Sequence, residues 1–213
     1  MPRDAHETRA RLLREAERLF ARRGVWQVTV RGITEAAAQR NPSALHYHFG
    51  SREGILQAIL QTHGDPIDDA RGAWLGALGD EPRDRDLVAA LLVPYSTQLA
   101  TDAGRDYLRI VAQLTVRFAR WETEVDAPNL VRILQLLRDR QTHLPPAVRA
   151  ERVVGAIVLL SSAFAERARA METGAPLDLD DDEFLANLAD MIVGVLEAPM
   201  GAPLRPSTPA PVH

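Results

Sequence analysis

Residues 29–53 constrain the fold of this chain more than any other stretch. Thr29 is a good N-cap for a short helix, because its hydroxyl can accept a hydrogen bond from the first turn. A second short helix fits after Asn41, where Pro42 suits the first turn since it has no backbone N–H to lose. Gly50 is placed to end that second helix. Two short helices joined by a brief turn predict a helix-turn-helix.

Two further helices are predicted to flank this pair and to support it. The first runs from about residue 8 to Arg23, and the fourth begins after Ser51 and runs to about His63. Their apolar residues recur at the spacing of one helix face: Leu12, Ala16, Leu19 and Phe20 in the first, and Ile55, Leu56, Ile59 and Leu60 in the fourth. These stripes can form a small core that holds the third helix with one face outward.

The rest of the chain also has helical periodicity, and no strand alternation is visible. Helices are predicted near residues 67–79, 86–100, 103–123, 128–141, 146–172 and 181–197. The Gly-Asp-Pro triplet at residues 64–66 is predicted to break or kink the chain and to mark the boundary between two domains, residues 1–63 and 64–198. The proline-rich tail, residues 199–213, is predicted to be disordered. The expected fold class is therefore all-α, with about nine to ten helices.

Composition excludes several classes of function. The chain has no cysteine and no lysine, so disulfides, thiolate metal sites, thiol nucleophiles and Schiff-base chemistry are absent. The sequence contains no P-loop, no dinucleotide-binding fingerprint and no Glu-x-x-His metal pair on a helix. We therefore expect no enzyme, no bound metal and no cofactor.

No segment is predicted to cross a membrane. The longest apolar run, residues 153–165, contains Gly155, Ser161 and Ser162 and is too short to span a bilayer. The charged N-terminus does not resemble a signal peptide. Together with the lack of cysteine, this pattern predicts a cytoplasmic protein.

Charge is distributed unevenly along the chain, although the net charge is only −4. Residues 1–63 contain ten arginines against six acidic residues, whereas the remaining residues contain 15 arginines against 23 acidic residues. A basic N-terminal part on an acidic body indicates a polyanionic partner for the first part only.

The four-helix N-terminal unit resembles the DNA-binding domain of TetR-type bacterial transcriptional regulators. The resemblance rests on the helix spacing over residues 8–63 and on the Tyr-His-Phe-Gly-Ser-Arg-Glu ending at residues 47–53. Over the remaining chain it extends only to length and helical pattern. It implies a homodimer that binds a palindromic operator in double-stranded DNA, with two reading helices about one DNA turn apart, ~34 Å.

The helix-turn-helix supplies the candidate DNA contacts. The early residues of an exposed third helix meet base edges, while flanking groups hold phosphates. The candidate set is Thr29, Arg31, Arg40, Asn41, Ser43, Ala44, His46, Tyr47, His48, Ser51 and Arg52. By resemblance, Thr29 and Arg31 contact phosphate and bases, and Tyr47, His48 and Arg52 contact phosphate. Packing at the helix end is the alternative role for Tyr47 and His48.

The turn between the two short helices departs from the family pattern. Gln39 and Arg40 stand where a small-hydrophobic pair, often Gly-Val, is usual. The geometry of this turn is therefore not predicted, and Arg40 is included as a DNA contact because the altered turn can place it against the duplex.

A ligand cavity is predicted between the two domains, because the helix at residues 103–123 carries aromatic, apolar and polar residues together. Ligand pockets are mostly apolar, with a few polar groups that orient the ligand. The candidate lining residues are Trp74, Tyr95, Tyr107, Ile110, Gln113, Leu114, Arg117, Phe118, Trp121 and Phe164. Gln113 and Arg117, one turn apart, are the expected polar groups. An ordinary core is the alternative for each residue.

The last two helices carry long apolar stripes suited to partner helices. The stripe residues are Val153, Ile157, Leu160 and Phe164 in one helix, and Phe184, Leu188, Met191 and Val195 in the other. An intramolecular core explains such stripes equally well, but the resemblance favours a four-helix interface between two subunits.

These patterns predict a DNA-binding transcriptional regulator that responds to a small molecule. The leading hypothesis is a repressor that the small molecule releases from its operator. A helical protein-interaction module that no longer binds DNA is the alternative. The residues do not identify the effector, the operator sequence or the regulated genes.

Overall fold

A computed structural model describes residues 2–39, 43–115 and 126–201 of the protein. Within these ranges the chain forms nine α-helices, one short 3₁₀ helix and no strand, which confirms the all-α class. The helices are α1 (Pro2–Arg23), α2 (Val30–Ala36), α3 (Ala44–Phe49), α4 (Arg52–Ala77), α5 (Asp84–Ser96), the 3₁₀ helix η1 (Thr97–Ala100), α6 (Asp102–Thr115), α7 (Pro128–Arg140), α8 (Pro146–Thr173) and α9 (Asp181–Glu197).

Most helices lie where caps and periodicity predict them. The bounds of α2, α7, α8 and α9 agree with the sequence interpretation, and α9 opens with a capping box in which Asp180 and Glu183 each accept the other's backbone N–H. Two bounds differ. The first helix begins at Pro2, earlier than predicted, and the predicted helix at residues 86–100 consists of α5 followed by η1.

The predicted helix break at residues 64–66 is wrong, because α4 is continuous through Pro66. An internal proline costs about 3 kcal/mol, since it removes a backbone hydrogen bond and crowds the preceding turn. The next turn offsets this cost by burying Ile67 and Asp68. The segment predicted as a separate helix, residues 67–79, is the second half of α4.

The first three helices and the first half of α4 share one hydrophobic core, here called the N-terminal core. Its fully buried residues include Leu12, Ala16, Phe20, Val25, Ile33, Leu45 and Ile55. Ile110 and Leu114 of α6 also belong to this core. The helix-turn-helix therefore rests directly on a helix from the larger part of the chain.

A second core, the C-terminal core, forms among the later helices, with Phe164 of α8 at its centre. The Phe164 ring meets Tyr95 of α5 and Phe184 of α9 edge-on, with ring centroids 5.1 and 5.3 Å apart. Such edge-to-face pairs stabilise a core beyond the burial of their area. Phe164 thereby joins α5, α8 and α9.

Polar side chains join the two cores. Gln113 of α6 accepts a hydrogen bond from the Val25 N–H at 2.7 Å and donates one to the Phe20 carbonyl at 3.2 Å. Glu172 of α8 pairs with Arg22 of α1 at 2.6 Å. These bonds hold the C-terminal end of α1 against α6 and α8.

The described ranges contain neither a membrane span nor a metal site. No helix within them has the length and hydrophobicity needed to cross a bilayer. Nor do any three His, Asp or Glu residues among them come together as metal ligands.

Candidate DNA-binding surface and ligand cavity

Two capped helix ends flank α3. The Thr29 hydroxyl accepts a hydrogen bond from the Gly32 N–H at 3.1 Å, and the Ser51 hydroxyl accepts one from the Gly54 N–H at 3.0 Å. Both hydroxyls were predicted to lie beside phosphate, and both act as N-caps in the free protein. They fix the starts of α2 and α4 on either side of α3.

Two glycines set the angle between α3 and α4. Gly50 has a φ of +73°, a left-handed conformation that residues with a side chain rarely adopt. A Cβ added to Gly54 would collide with the Phe49 carbonyl oxygen. This close approach couples α3 firmly to α4, so that a displacement of α4 carries α3 with it.

The outward face of α3 presents Ser43, His46 and Tyr47. Tyr47 is 81% exposed, and its ring meets His48 edge-on with centroids 4.9 Å apart. His46 is oriented by a hydrogen bond that its Nδ1–H donates to the Gly50 carbonyl at 2.8 Å. The face therefore combines an exposed aromatic ring with polar groups suited to phosphates and base edges.

Arg31 projects into solvent from the first turn of α2. Its Nε donates to Glu35 Oε1 at 2.7 Å, and both side chains are exposed. An exposed ion pair one helical turn apart contributes little to stability, because water screens its charges. Arg31 can therefore exchange Glu35 for a DNA phosphate or base at small cost.

Ala44 does not lie on the outer face as predicted, because it is only 8% exposed and packs in the N-terminal core. Ala44, Leu45, His48 and Phe49 follow the spacing of one helix face, and that face points inward. His48 is accordingly half-buried. The N-cap of α3 is Ser43 rather than the predicted Asn41.

Arg52 is held within the fold, although it was predicted to contact phosphate. Its side chain is 17% exposed, and its Nε donates to the Val28 carbonyl at 2.7 Å. The guanidinium carbon lies 5.1 Å from the centre of the Phe20 ring, a cation–π distance. Arg52 thus fastens the first turn of α4 to the loop before α2.

Replacing Arg52 by glutamine is expected to lower the free energy of unfolding by about 1–2 kcal/mol, because the Val28 carbonyl and the Phe20 ring lose their partner. Urea denaturation would measure the change. Arg31→Gln is the matched control and should leave the free energy of unfolding nearly unchanged, since Arg31 is exposed. Equal effects of the two substitutions would contradict the structural role of Arg52.

The turn between α2 and α3 is described as far as Gln39. Ala38 has a φ of +51°, which is uncommon for a residue other than glycine. Arg40 and Asn41, both predicted DNA contacts, lie outside the described residues.

Trp26 belongs to the outer surface, and sequence reasoning missed it. It is an exposed large aromatic in the loop between α1 and α2, three residues before Thr29. In the sequence it is indistinguishable from an apolar residue that folds back into the core after Gly24. Only its exposure shows that it lies on the surface near the helix-turn-helix.

A cavity of about 270 Å³ lies among α4, α5, α6, α7 and α8. Its lining residues include Leu60, Gly64, Arg71, Tyr95, Tyr107, Val111, Leu130, Ile157, Leu160 and Ser161. Three exposed residues of α4, Gln57, Gln61 and Asp65, also border it. The cavity is therefore largely apolar, with polar groups along α4.

Of the predicted ligand-binding residues, Tyr95 and Tyr107 line this cavity. Arg117, Phe118 and Trp121 lie outside the described residues. The remaining five, Trp74, Ile110, Gln113, Leu114 and Phe164, are not part of the described wall.

These five residues have other positions for clear physical reasons. One face of α6 turns Tyr107 and Val111 toward the cavity, so Ile110 and Leu114 point instead into the N-terminal core. Gln113 is bonded to backbone groups of α1 and its following loop, Phe164 is the centre of the C-terminal core, and Trp74 is partly exposed on α4.

Arg71 is a buried charged residue of the cavity wall, and sequence reasoning missed it. It is 7% exposed, and its Nε has no hydrogen-bond partner among the described residues. Burial is the main influence on this group and lowers the pKa of its guanidinium. The predicted helix break at residues 64–66 concealed it, because only a continuous α4 carries Arg71 back along the cavity.

His63 connects the cavity wall with α1. Its ring stacks on Tyr107 with centroids 4.8 Å apart. Its Nε2 lies 2.7 Å from Glu17 Oε1, and its Nδ1 lies 2.7 Å from Gln98 Oε1. Burial lowers the pKa of His63, but the Glu17 carboxylate and the Gln98 amide oxygen together raise it by more, so the net pKa lies above its usual value.

The stabilising contribution of His63 is expected to fade as the pH rises above neutrality. Because the folded pKa is raised, the contribution is complete below the unfolded pKa of 6.5 and is lost as the pH rises through the folded pKa. Denaturation of wild type and His63→Gln between about pH 6.5 and 9 would measure this. The wild-type advantage should shrink with pH, and a constant difference would contradict the charged pair.

Most residues predicted for a dimer interface are instead buried inside the protomer. Val153, Leu160, Phe164 and Leu188 belong to the C-terminal core, and Ile157 and Leu160 also line the cavity. Phe184 and Val195 are half-buried, and Met191 is exposed. The apolar stripe identified from the sequence therefore faces mainly the interior of the protomer. Helix faces buried in a core and helix faces buried in an interface have the same spacing of apolar residues, so the sequence does not distinguish them.

Comparison with known proteins agrees with this geometry at the N-terminal unit. A family model described as bacterial regulatory proteins of the tetR family matches residues 12–59. TtgR, an HTH-type transcriptional regulator of Pseudomonas putida, is 31% identical over 100 residues, which cover 47% of this chain and 46% of TtgR. ArpR, a probable HTH-type transcriptional regulator of the same species, is 37% identical over 59 residues, 28% of each chain.

The matches to these curated relatives span about half of their length or less. A solved structure from Rhodococcus sp., assigned to the TetR family of regulators, covers 90% of this chain and 99% of its own, with 19% identity and a TM-score of 0.49. At that identity and TM-score, the similarity adds no argument to the fold described above.

The exposed α3 and its capped scaffold lie within the segment that the family model matches. Residues 12–59 therefore match the tetR family of bacterial regulatory proteins, and this matched segment contains the helix-turn-helix.

Proposed function

We propose that this protein is a repressor that binds a palindromic operator as a homodimer and leaves it when a small molecule enters the cavity. One observation carries the proposal: α4 is a single helix whose first turn is tied to α3 and whose later turns, from Gln57 to Arg71, line the cavity. A regulator of this kind works on chromosomal DNA, so we place it in the cytoplasm, and we propose no enzymatic activity.

The route from cavity to DNA follows α4. A ligand changes the DNA affinity only if it binds the DNA-competent and the released arrangements with different affinity. Gly64 and Arg71 place the wall of the cavity on α4, and the close approach of Gly54 to Phe49 couples α4 to α3. A shift of α4 would therefore alter the separation of the two reading helices.

For the dimer, we propose the exposed side of α8 and α9. Val158 and Met191 are exposed large apolar residues there, and Gly155 and Gly194 leave room for a partner helix. Exposed apolar side chains lose contact with water on association, which favours it. A dimer also places two reading helices on one face of the DNA, about 34 Å apart.

The test is a fluorescence-anisotropy titration of the protein with duplexes from the region upstream of its own gene. Specific binding above a scrambled duplex of equal length, at moderate salt, is the expected result. Light scattering measures the stoichiometry, and two subunits per operator are expected. No specific binding to that region or to neighbouring promoters would overturn the proposal.

The alternative, a protein-interaction module without DNA binding, makes a different prediction for the same assay. It predicts that Arg31→Ala and Tyr47→Ala each change the affinity for DNA by less than about twofold. The exposed face of α3 favours the regulator, because Ser43, His46 and Tyr47 together present groups that can contact phosphates and base edges.

A further inference from the structure

Two buried donors on the cavity wall lack an acceptor among the described residues. The Nε–H of Arg71 and the hydroxyl of Tyr95 have no hydrogen-bond partner there, and the two side chains are 7% and 4% exposed. The guanidinium carbon of Arg71 lies 6.0 Å from the centre of the Tyr95 ring, so the donors belong to one corner of the cavity. Buried donors are nearly always satisfied in native proteins.

Among the described residues no carboxylate forms a salt bridge with Arg71, although burial lowers its pKa and the Asp68 carboxylate acts on its charge to raise it. Asp68, one turn earlier on α4, accepts hydrogen bonds from the backbone N–H groups of Asn129 and Leu130 at 3.0 and 2.8 Å. Its carboxylate is therefore engaged by the start of α7. Asp65 and Asp126 also border the cavity, but both are exposed and hydrated. Within the described ranges, Arg71 forms no salt bridge.

Much of the remaining wall is apolar, and its polar groups include the exposed Gln57, Gln61, Asp65 and Asp126 at the border. Leu60, Tyr107, Val111, Leu130, Ile157 and Leu160 contribute side chains to it. A buried cation next to an apolar chamber favours a molecule with an anionic end and an apolar body, because the anion supplies the missing acceptor and charge.

We propose that the cavity binds a small organic carboxylate, which accepts hydrogen bonds from Arg71 Nε and the Tyr95 hydroxyl and packs its apolar body against the leucine and isoleucine side chains. Its role as the effector rests on the proposed function, but its binding does not. The opposite result would be preferred binding of a cationic ligand by Asp65, Asp126 and the tyrosine rings. The ammonium probe in the experiment below detects such binding.

Isothermal titration calorimetry of the full chain with matched probes tests the proposal. The probes are 2-naphthoate against 2-naphthamide, octanoate against octanamide, and 2-naphthylmethylammonium as the cation. At least one acid is expected to bind about tenfold or more tightly than its amide, which corresponds to a charge-assisted hydrogen bond. Equal or undetectable binding of acid and amide in both pairs, or tighter binding of the ammonium compound, overturns the proposal.

Variants then assign the preference to its residues. Arg71→Gln should reduce the acid-to-amide preference to about twofold or less, and Tyr95→Phe should reduce it partly. Arg132→Gln removes the same charge from an exposed position on α7 and should leave the preference unchanged. If circular dichroism shows that Arg71→Gln is folded and the full preference persists, the assignment is wrong. Tyr95→Phe, which keeps the ring, serves the same test should Arg71→Gln not fold.

The two proposals fail separately. Carboxylate binding without operator binding would end the repressor proposal and leave the ligand class intact. Operator binding without a carboxylate preference would end the ligand proposal and leave the proposed DNA binding intact. Release of labelled operator by the preferred acid from wild type, but not from Arg71→Gln, supports both.

Discussion

Tyr47→Ala is expected to lower the affinity for operator DNA about 100-fold while leaving the free energy of unfolding almost unchanged. A side chain at the DNA surface contributes about 1–3 kcal/mol, and a dimer loses two such contacts. Because Tyr47 is 81% exposed in the free protein, its removal leaves no cavity in the core. Fluorescence anisotropy with the operator duplex measures the affinity, and urea denaturation measures the stability.

Trp74→Ala is the control for loss of an exposed aromatic ring. Trp74 is partly exposed, like Tyr47, but it lies in the later half of α4. Its replacement should change operator affinity less than about threefold, since surface substitutions away from a site are nearly neutral. If the two substitutions have similar effects, Tyr47 does not contact DNA. If Tyr47→Ala instead destabilises the fold by several kcal/mol, its exposure is misassigned.

Asp68→Ala is expected to cost about 2–3 kcal/mol of unfolding free energy, the largest stability effect predicted for this chain. The Asp68 carboxylate accepts the N–H groups of Asn129 and Leu130 and the Asn129 side-chain amide at 3.1 Å. Its removal leaves buried donors unpaired and removes the negative charge nearest Arg71. Chemical denaturation of both proteins, with the slope of the transition compared, measures the loss.

The adjacent residue provides the control for Asp68. Asp69 has the same charge on the same helix but is exposed, so Asp69→Ala should change stability by less than about 0.5 kcal/mol. Asp68→Asn keeps one acceptor oxygen and should fall between the two, which also covers the case in which Asp68→Ala does not fold. Equal stability of the Asp68 and Asp69 variants would show that the contact between α4 and α7 contributes little.

Local signals in the sequence were enough to predict most helices. Caps such as Thr29 and Ser51 and the apolar spacing of α8 act within one or two turns, and the structure retains them. Pro66 is the exception. Its local effect favours a break, but the burial of Ile67 involves distant segments of the chain, and such packing overrides local preference.

The predictions for the candidate sites also succeeded where local signals were sufficient and failed where distant contacts decide the structure. The exposure of Tyr47 follows from the position of α3 in its four-helix unit, so it could be predicted from the sequence. The burial of Ala44 and the internal hydrogen bond of Arg52 were not predicted, because residue type does not reveal which face of a six-residue helix points inward or which carbonyl an arginine meets. Burial and partners depend on neighbours that are far away in the chain.

By itself, the sequence determined the all-α class, the helix-turn-helix and the basic charge of its unit, because caps, periodicity and composition are local properties. Only the tertiary structure decided that α4 runs unbroken from the reading helix to the cavity. It also decided that Arg71 lies buried there without a carboxylate partner among the described residues, and that α8 uses its main apolar stripe inside the protomer. These features depend on which surfaces meet, and the free energy of that packing is shared among residues widely separated in sequence.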